Sequence, residues 1–71
     1  MERDFLVSVI VGTSSIPHVV RADNAAAALN TFAERQSALI IGKMLAHDEL
    51  NAHGLVGVEE RAFRVVVSPR V

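Results

Sequence analysis

The sequence predicts a small α+β domain: a two-layer arrangement of a four-stranded sheet, in β-β-α-β-α-β order, with one main helix packed across it. An alanine-rich stretch, 23–36, carries its larger apolar residues at helical spacing. Runs of β-branched and other apolar residues before and after it are typical of strands. A chain of 71 residues has room for a single domain, residues 1–71, with one thin core.

The first two predicted strands form a hairpin. Phe5 to Val11 is apolar on both alternating sets of residues, which favours a central strand covered on both faces. Small polar residues from Gly12 to Ser15 predict the turn, and Ile16 to Ala22 the second strand. Pro17 cannot donate a backbone hydrogen bond, so we expect it at the start of that strand or on a sheet edge.

The main helix is predicted over 23–36, with Asp23 as its N-cap, because a carboxylate can accept from the free N–H groups of the first turn. Alanine is the best intrinsic helix former, which supports the assignment. Leu29 and Phe32 are the expected anchors in the core. The predicted buried stripe comprises Ala25, Ala28, Leu29, Phe32, Ala33 and Gln36.

Two interpretations are open for 37–54. The segment could continue the helix, but consecutive apolar residues from Leu39 to Ile41 and a Gly42 that costs ~1 kcal/mol inside a helix argue against this. We therefore favour a third strand from Ala38 to Leu45. A short second helix from His47 to His53 would follow, with Gly54 as the left-handed residue at its end.

The fourth predicted strand runs from Glu59 to Val67 and ends in consecutive valines. Pro69 is expected to stop it, since proline lacks the N–H that a strand needs. Arg70 and Val71 would then form a frayed tail.

Composition limits the function. Hydrophobic residues make up 51% of the chain and the mean hydropathy is +0.35, so we expect the excess apolar surface to be covered by a homodimer partner or another protein. The expected exposed sheet edges are Ile16–Ala22 and Phe63–Val67. The net charge of −1 is no electrostatic footprint for nucleic acid. The absence of cysteine excludes disulfides and thiolate zinc sites.

The N-terminal residues are too polar for a signal peptide, and the apolar run 5–11 is too short to span a bilayer. The expectation is therefore a cytoplasmic protein, in the host cell cytoplasm if the chain is phage-encoded, with no membrane partner.

No catalytic or cofactor motif is recognisable. His18 is expected on the surface, and the separation of His47 and His53 does not place them on one helical face, so we expect no metal site. Ser14 and Ser15 are interpreted as turn residues. We accordingly expect no enzyme and no cofactor.

Three stretches resemble small phage- and prophage-encoded proteins: Val20-Arg-Ala-Asp-Asn-Ala-Ala-Ala-Ala-Leu29, Ile41-Gly-Lys-Met-Leu-Ala-His-Asp-Glu-Leu50 and Gly54-Leu-Val-Gly57. That family shares a β-hairpin, an alanine-rich helix, a strand and a short helix, and some of its members are anti-CRISPR proteins. The resemblance implies a non-enzymatic inhibitor or accessory factor; as an inhibitor, it would bind a host protein complex and block a CRISPR-Cas defence. It transfers no functional residue, because no motif residue is matched.

Binding residues are instead predicted from exposed charge and sheet edges: Arg21, Glu34, Arg35, Glu59, Glu60, Arg61 and Arg64. The alternative function is a nucleic-acid-binding or transcription-linked accessory protein of a phage or prophage. It depends on Phe63 lying between Arg61 and Arg64 as a stacking platform.

Overall fold

A single antiparallel sheet with one short helix across it makes up the computed structural model, which describes residues 1–46 and 48–70. The strands lie in the order β2-β1-β5-β4-β3, so the last strand of the chain is the middle strand of the sheet. The elements are β1 (Arg3–Val11), β2 (Ser14–Ala22), α1 (Ala25–Arg35), β3 (Leu39–Ala46), β4 (Ala52–Val58) and β5 (Arg61–Pro69).

The predicted fold class is wrong in two respects. The described residues form a mostly-β domain with five strands instead of four and one helix instead of two. Part of the predicted short helix, from Ala52 onward, belongs to β4. Gly54 therefore caps no helix. It lies in β4 beneath the helix, where a Cβ atom would stand 3.5 Å from Cδ2 of Leu29.

A side-chain hydrogen-bond network explains why 48–51 forms a turn. Oδ1 of Asp48 accepts from the backbone N–H groups of Leu50, at 2.7 Å, and Asn51, at 2.9 Å. Such local bonds compete directly with helix formation. The carbonyl of Glu49 is used elsewhere, because it accepts from the N–H of Ala25 at 2.7 Å. The loop thus satisfies one of the free donors at the start of α1. The first residue of the predicted helix, His47, lies outside the described residues.

The main helix begins one residue later than predicted. Asn24, not Asp23, is the N-cap, and its Oδ1 accepts from the N–H of Ala27 at 2.8 Å. The buried stripe is otherwise confirmed, except that Gln36 is exposed as the C-cap residue. The remaining stripe residues are all buried: Ala25, Ala28, Leu29, Phe32 and Ala33.

The helix ends in a Schellman motif. The N–H of Ser37 donates to the carbonyl of Glu34 at 3.2 Å, and the N–H of Ala38 donates to that of Ala33 at 2.8 Å. Ser37 has a φ of 52°, in the left-handed region that glycine usually occupies at this position. The chain then turns directly into β3, so the predicted third strand is confirmed and a continuous helix is excluded.

Two of the hairpins have tight two-residue turns between their strands. Gly12 and Thr13 connect β1 to β2, and the positive φ of Gly12, 61°, suits the first position of a type II′ turn. Glu59 and Glu60 connect β4 to β5, and both have positive φ, 48° and 67°. A type I′ turn requires that geometry and favours Asn-Gly, so two glutamates make this a strained turn.

Ile16–Ala22 was correctly predicted as an edge, since β2 is an outer strand. Phe63–Val67 was not, because β5 pairs with β1 on one side and with β4 on the other. Pro69 is the last residue of β5. Arg70 is not frayed, since its N–H donates to the carbonyl of Asp4 at 3.0 Å. The other residue of the predicted tail, Val71, lies outside the described residues.

The core lies between α1 and one face of the sheet, and all of its buried side chains in the described part of the chain are apolar. Phe5 and Leu29 are its largest fully buried members. Among the described residues, no helix has the length and apolar character needed to cross a membrane.

Candidate protein-binding site

Among residues 1–46 and 48–70, none forms a layer that covers the sheet face opposite α1. Strand residues alternate between faces, and on β1 the residues directed to the helix, such as Phe5 and Val7, are fully buried. Their neighbours Leu6 and Ile10 point to the other side and are half-buried. We call this side the open face. Its aliphatic residues are Leu6, Ile10, Val19, Leu39, Ile41, Leu45, Leu55 and Val66.

Strand register makes these side chains contiguous. Ile10 pairs with Arg64, Arg64 with Leu55, and Leu55 with Ile41, so one row of side chains crosses four strands. Only Arg64 interrupts the aliphatic character of that row. Cross-strand neighbours have Cβ atoms ~5 Å apart, close enough to form one continuous surface.

A second row lies beside the first. Val66 is flanked by Ser8 on β1 and His53 on β4, and His53 pairs in turn with Leu45 on β3. Leu45 is 48% exposed and Val66 41%. A shallow depression of about 660 Å³ lies between the rows, and its lining includes Ile10, His53, Arg64 and Val66. Large apolar side chains that are half exposed and adjacent form an apolar patch, which is a mark of interaction surfaces.

Both sheet edges are unsuited to strand addition. Pro17 lies within the outer strand β2, opposite Ser8, and it has no N–H to offer a further strand. The pairing of β3 with β4 is irregular between Ile41 and Leu45, where Gly42 has a φ of 69° and Lys43 is exposed. Proline, bulges and lysine are devices that blunt a sheet edge. A partner would therefore approach the face of the sheet more readily than its edges.

The structure does not bring the predicted binding residues together. Glu34 and Arg35 lie in the last turn of α1, and Glu59, Glu60 and Arg61 lie at the β4–β5 turn. These two groups share one end of the molecule, where Ser37, after the helix, and the β4–β5 turn line the same shallow depression. Their burial is low, and no ion pair joins them among the described residues.

Arg21 lies at the opposite end. Its guanidinium is 3.7 Å from the carboxylates of both Glu2 and Asp4, and Asp4 is also 3.7 Å from Arg70. These pairs are exposed and contribute little to stability. Arg64 alone among the predicted residues lies in the middle of the open face, flanked by Ile10 and Leu55. No carboxylate of the described chain lies within ion-pair distance of it.

The proposed stacking platform is not assembled. Phe63 packs against the core on the helix side, whereas Arg64, the next residue, is on the open face. All three phenylalanines, Phe5, Phe32 and Phe63, belong to the helix side. The open face therefore offers no phenylalanine ring on which a base could stack.

The histidines are dispersed. His18 is less exposed than expected, because its ring lies 5.1 Å from the ring of Phe32 on the helix side. His53 is on the open face. His47 lies outside the described residues. In the part of the chain that the structure describes, no cluster of three or more histidine or carboxylate side chains could hold a metal ion.

A smaller apolar groove of about 220 Å³ lies on the helix side, past the end of α1. It exists because the helix is short relative to the β1–β2 hairpin, which leaves Val11 and Ile16 44% and 50% exposed. Phe32 and Phe63 form part of its lining. The groove is a minor feature beside the open face, which extends across all five strands.

The binding residues were predicted from exposed charge, and this selection missed an apolar pattern in the sequence that indicates the open face. The second alternating set of β1, with Leu6 and Ile10, is apolar although it faces away from the helix. Leu39, Ile41 and Val66 carry the same signal on the last strands.

No family model matches the chain, and no match was found among curated proteins or among solved structures.

Proposed function

We propose that this chain is a non-enzymatic protein-binding protein whose open face docks against another protein chain. The observation that carries the proposal is the row formed by Ile10, Leu55 and Ile41, which is aliphatic except at Arg64 and crosses four strands of the sheet. Burying apolar surface is the dominant favourable contribution to most protein association, although part of it is offset by the entropy lost on binding.

The position of Arg64 supports the same function. Arginine is enriched where interfaces concentrate binding energy, and its long aliphatic stem adds apolar contact area. Ile10 and Leu55 on either side would pack against this stem once a partner is bound, and the guanidinium would extend toward the rim of the interface. A carboxylate or a backbone carbonyl on the partner would complete that contact.

The resemblance to phage-encoded inhibitors leads to an additional proposal, in which the protein also binds a host defence complex. This part rests on the resemblance alone, since no feature of the open face selects a CRISPR-Cas subunit over another protein. The nucleic-acid alternative has no corresponding support, because all three phenylalanines lie on the helix side and form no stacking platform on the open face.

The test is a comparison of co-purification by the wild type and by Leu55→Glu. Tagged protein is co-expressed in bacteria with an untagged copy, and recovered chains are quantified by mass spectrometry. The expected result is one chain, of whatever sequence, recovered in stoichiometric amount by the wild type and lost with the variant. Leu55 is 43% exposed, so the variant keeps the core intact.

Asn30→Glu is the matched control, because it adds the same charge to the exposed side of α1. It should recover the chain as the wild type does. Equal recovery by Leu55→Glu, or no chain recovered by the wild type, would refute a binding role for the open face.

A further inference from the structure

We infer that the chain covering the open face is a second copy of this protein, so that two sheets pack face to face in a symmetric dimer. The inference rests on the proposed function and names its partner. Its arguments are the width of the apolar surface, the area available and the distribution of charge.

The width of the surface selects a partner as broad as the sheet. Val19 is on the outer strand β2 and Ile41 on the opposite outer strand β3, four strand spacings away, which is ~19 Å. A single docked helix has a diameter of only ~10–12 Å and would leave one side uncovered. A second sheet spans the surface completely, and both edges of this sheet are blunted against strand addition.

The area reaches what a stable dimer needs. Five strands spaced ~4.8 Å apart, with a rise of ~3.3 Å per residue, give a face of roughly 600 Å² per copy. Two copies would bury roughly 1,200 Å², the lower limit for specific, stable interfaces. The interface would also give a 71-residue chain a second apolar layer, which small domains generally lack.

Shape and charge fit a symmetric arrangement. Two identical sheets carry the same twist, and sheets of equal twist pack well at an angle of about −30° and a separation of ~10 Å. The charged end of the open face holds both signs in paired form, since Arg21 lies 3.7 Å from Asp4 and from Glu2. Two copies therefore need not bring a block of like charge together there. The long side chain of Arg64 would carry its guanidinium toward the rim.

Sedimentation equilibrium of the purified chain tests this inference. We expect a species of twice the chain mass of 7.7 kDa at high micromolar concentration. Leu55→Glu would place a carboxylate from each copy in the interface, opposite Arg64 on the adjacent strand. Burying this charge, even paired with Arg64, costs more than burying leucine, so the dimer should weaken by about tenfold or more. Asn30→Glu on the helix should leave the dimer unchanged, and circular dichroism verifies that each variant is folded.

If Leu55→Glu does not fold, Val66→Thr replaces it. Threonine keeps the shape and strand propensity of valine but adds a hydroxyl group to the interface, so dimerisation should again weaken. A dimer that neither substitution weakens would form elsewhere on the molecule, and the inference would be wrong. A monomeric wild type would overturn it as well. If co-purification nevertheless recovered a different chain that Leu55→Glu loses, the proposed function would stand without the dimer.

Discussion

Ile41 lies over Gly57 on the open face, with its Cδ1 only 2.9 Å from the position that a Cβ atom on Gly57 would occupy. The two residues are diagonal neighbours, because Ile41 pairs with Leu55 and Gly57 with Leu39. The missing side chain of Gly57 thus makes room for Ile41 on the sheet. Substitutions at these two positions therefore measure how closely their side chains pack on the open face.

Gly57→Ala should destabilise the wild type more than it destabilises Ile41→Val, because valine lacks the Cδ1 atom that meets the new methyl group. Neighbours that share a contact typically show a coupling of about 0.5 kcal/mol or more in a double-mutant cycle. Denaturant unfolding of the four proteins measures it. Gly54→Ala, whose Cβ would meet Leu29 at 3.5 Å, is the control and should be insensitive to Ile41→Val. Equal costs of Gly57→Ala in both backgrounds would contradict the contact.

Ser37→Gly should stabilise the protein by about 0.5–1 kcal/mol. The φ of Ser37 is 52°, and glycine adopts this left-handed conformation without the steric cost of a Cβ atom. Ser37→Val should destabilise it, since a β-branched residue is the poorest choice at positive φ. Thermal unfolding monitored by circular dichroism compares the three proteins. A lower Tm for Ser37→Gly than for the wild type would be inconsistent with this helix end.

The β4–β5 turn should respond to Asn-Gly in place of Glu59 and Glu60. Both residues have positive φ, which costs of order 1–3 kcal/mol each for residues other than glycine. The double substitution should therefore raise the free energy of unfolding by about 1 kcal/mol or more. Replacing both glutamates by glutamine removes the charge and keeps the strain. If the glutamine variant gains as much stability, charge repulsion and not backbone strain is the cause.

Leu29→Ala should cost about 2–5 kcal/mol, since Leu29 is fully buried between α1 and β4. A single core in a chain of this size rarely supplies more than ~3–5 kcal/mol, so much of the protein should be unfolded at 25 °C. Asn30→Ala alters the neighbouring, exposed position and should retain the wild-type Tm or raise it. Similar unfolding curves for the two variants would show that Leu29 is not the anchor.

Local patterns were sufficient to predict α1, β1, β2 and β3. The alanines and the spacing of Leu29 and Phe32 indicate a helix without any information from the rest of the chain. The prediction of a second helix was wrong because the side chain of Asp48 accepts hydrogen bonds from the backbone of its own loop. Acidic residues favour both a helix start and such a loop, so their presence in the sequence does not distinguish the two. Two glycines in β4 weakened its strand signal.

The candidate site was harder to predict, because its composition depends on strand order. Inserting β5 between β1 and β4 places Arg64 beside Ile10 and Leu55, residues that are far away along the chain. No local sequence pattern can show that these three residues are neighbours in the sheet. Charged residues were selected for their exposure, and the fold distributes them over two ends and one face.

The reactivity of a single thiol on the open face shows whether a second chain covers that face. The chain has no cysteine, so Val66→Cys and Asn30→Cys each introduce one thiol, at an open-face position and at the exposed side of α1. A covered face predicts that the Val66→Cys thiol of the purified protein reacts with a maleimide much more slowly than the Asn30→Cys thiol. Adding Leu55→Glu should restore its reactivity. Equal rates for the two thiols without Leu55→Glu would show that the open face is exposed to solvent and would contradict the account.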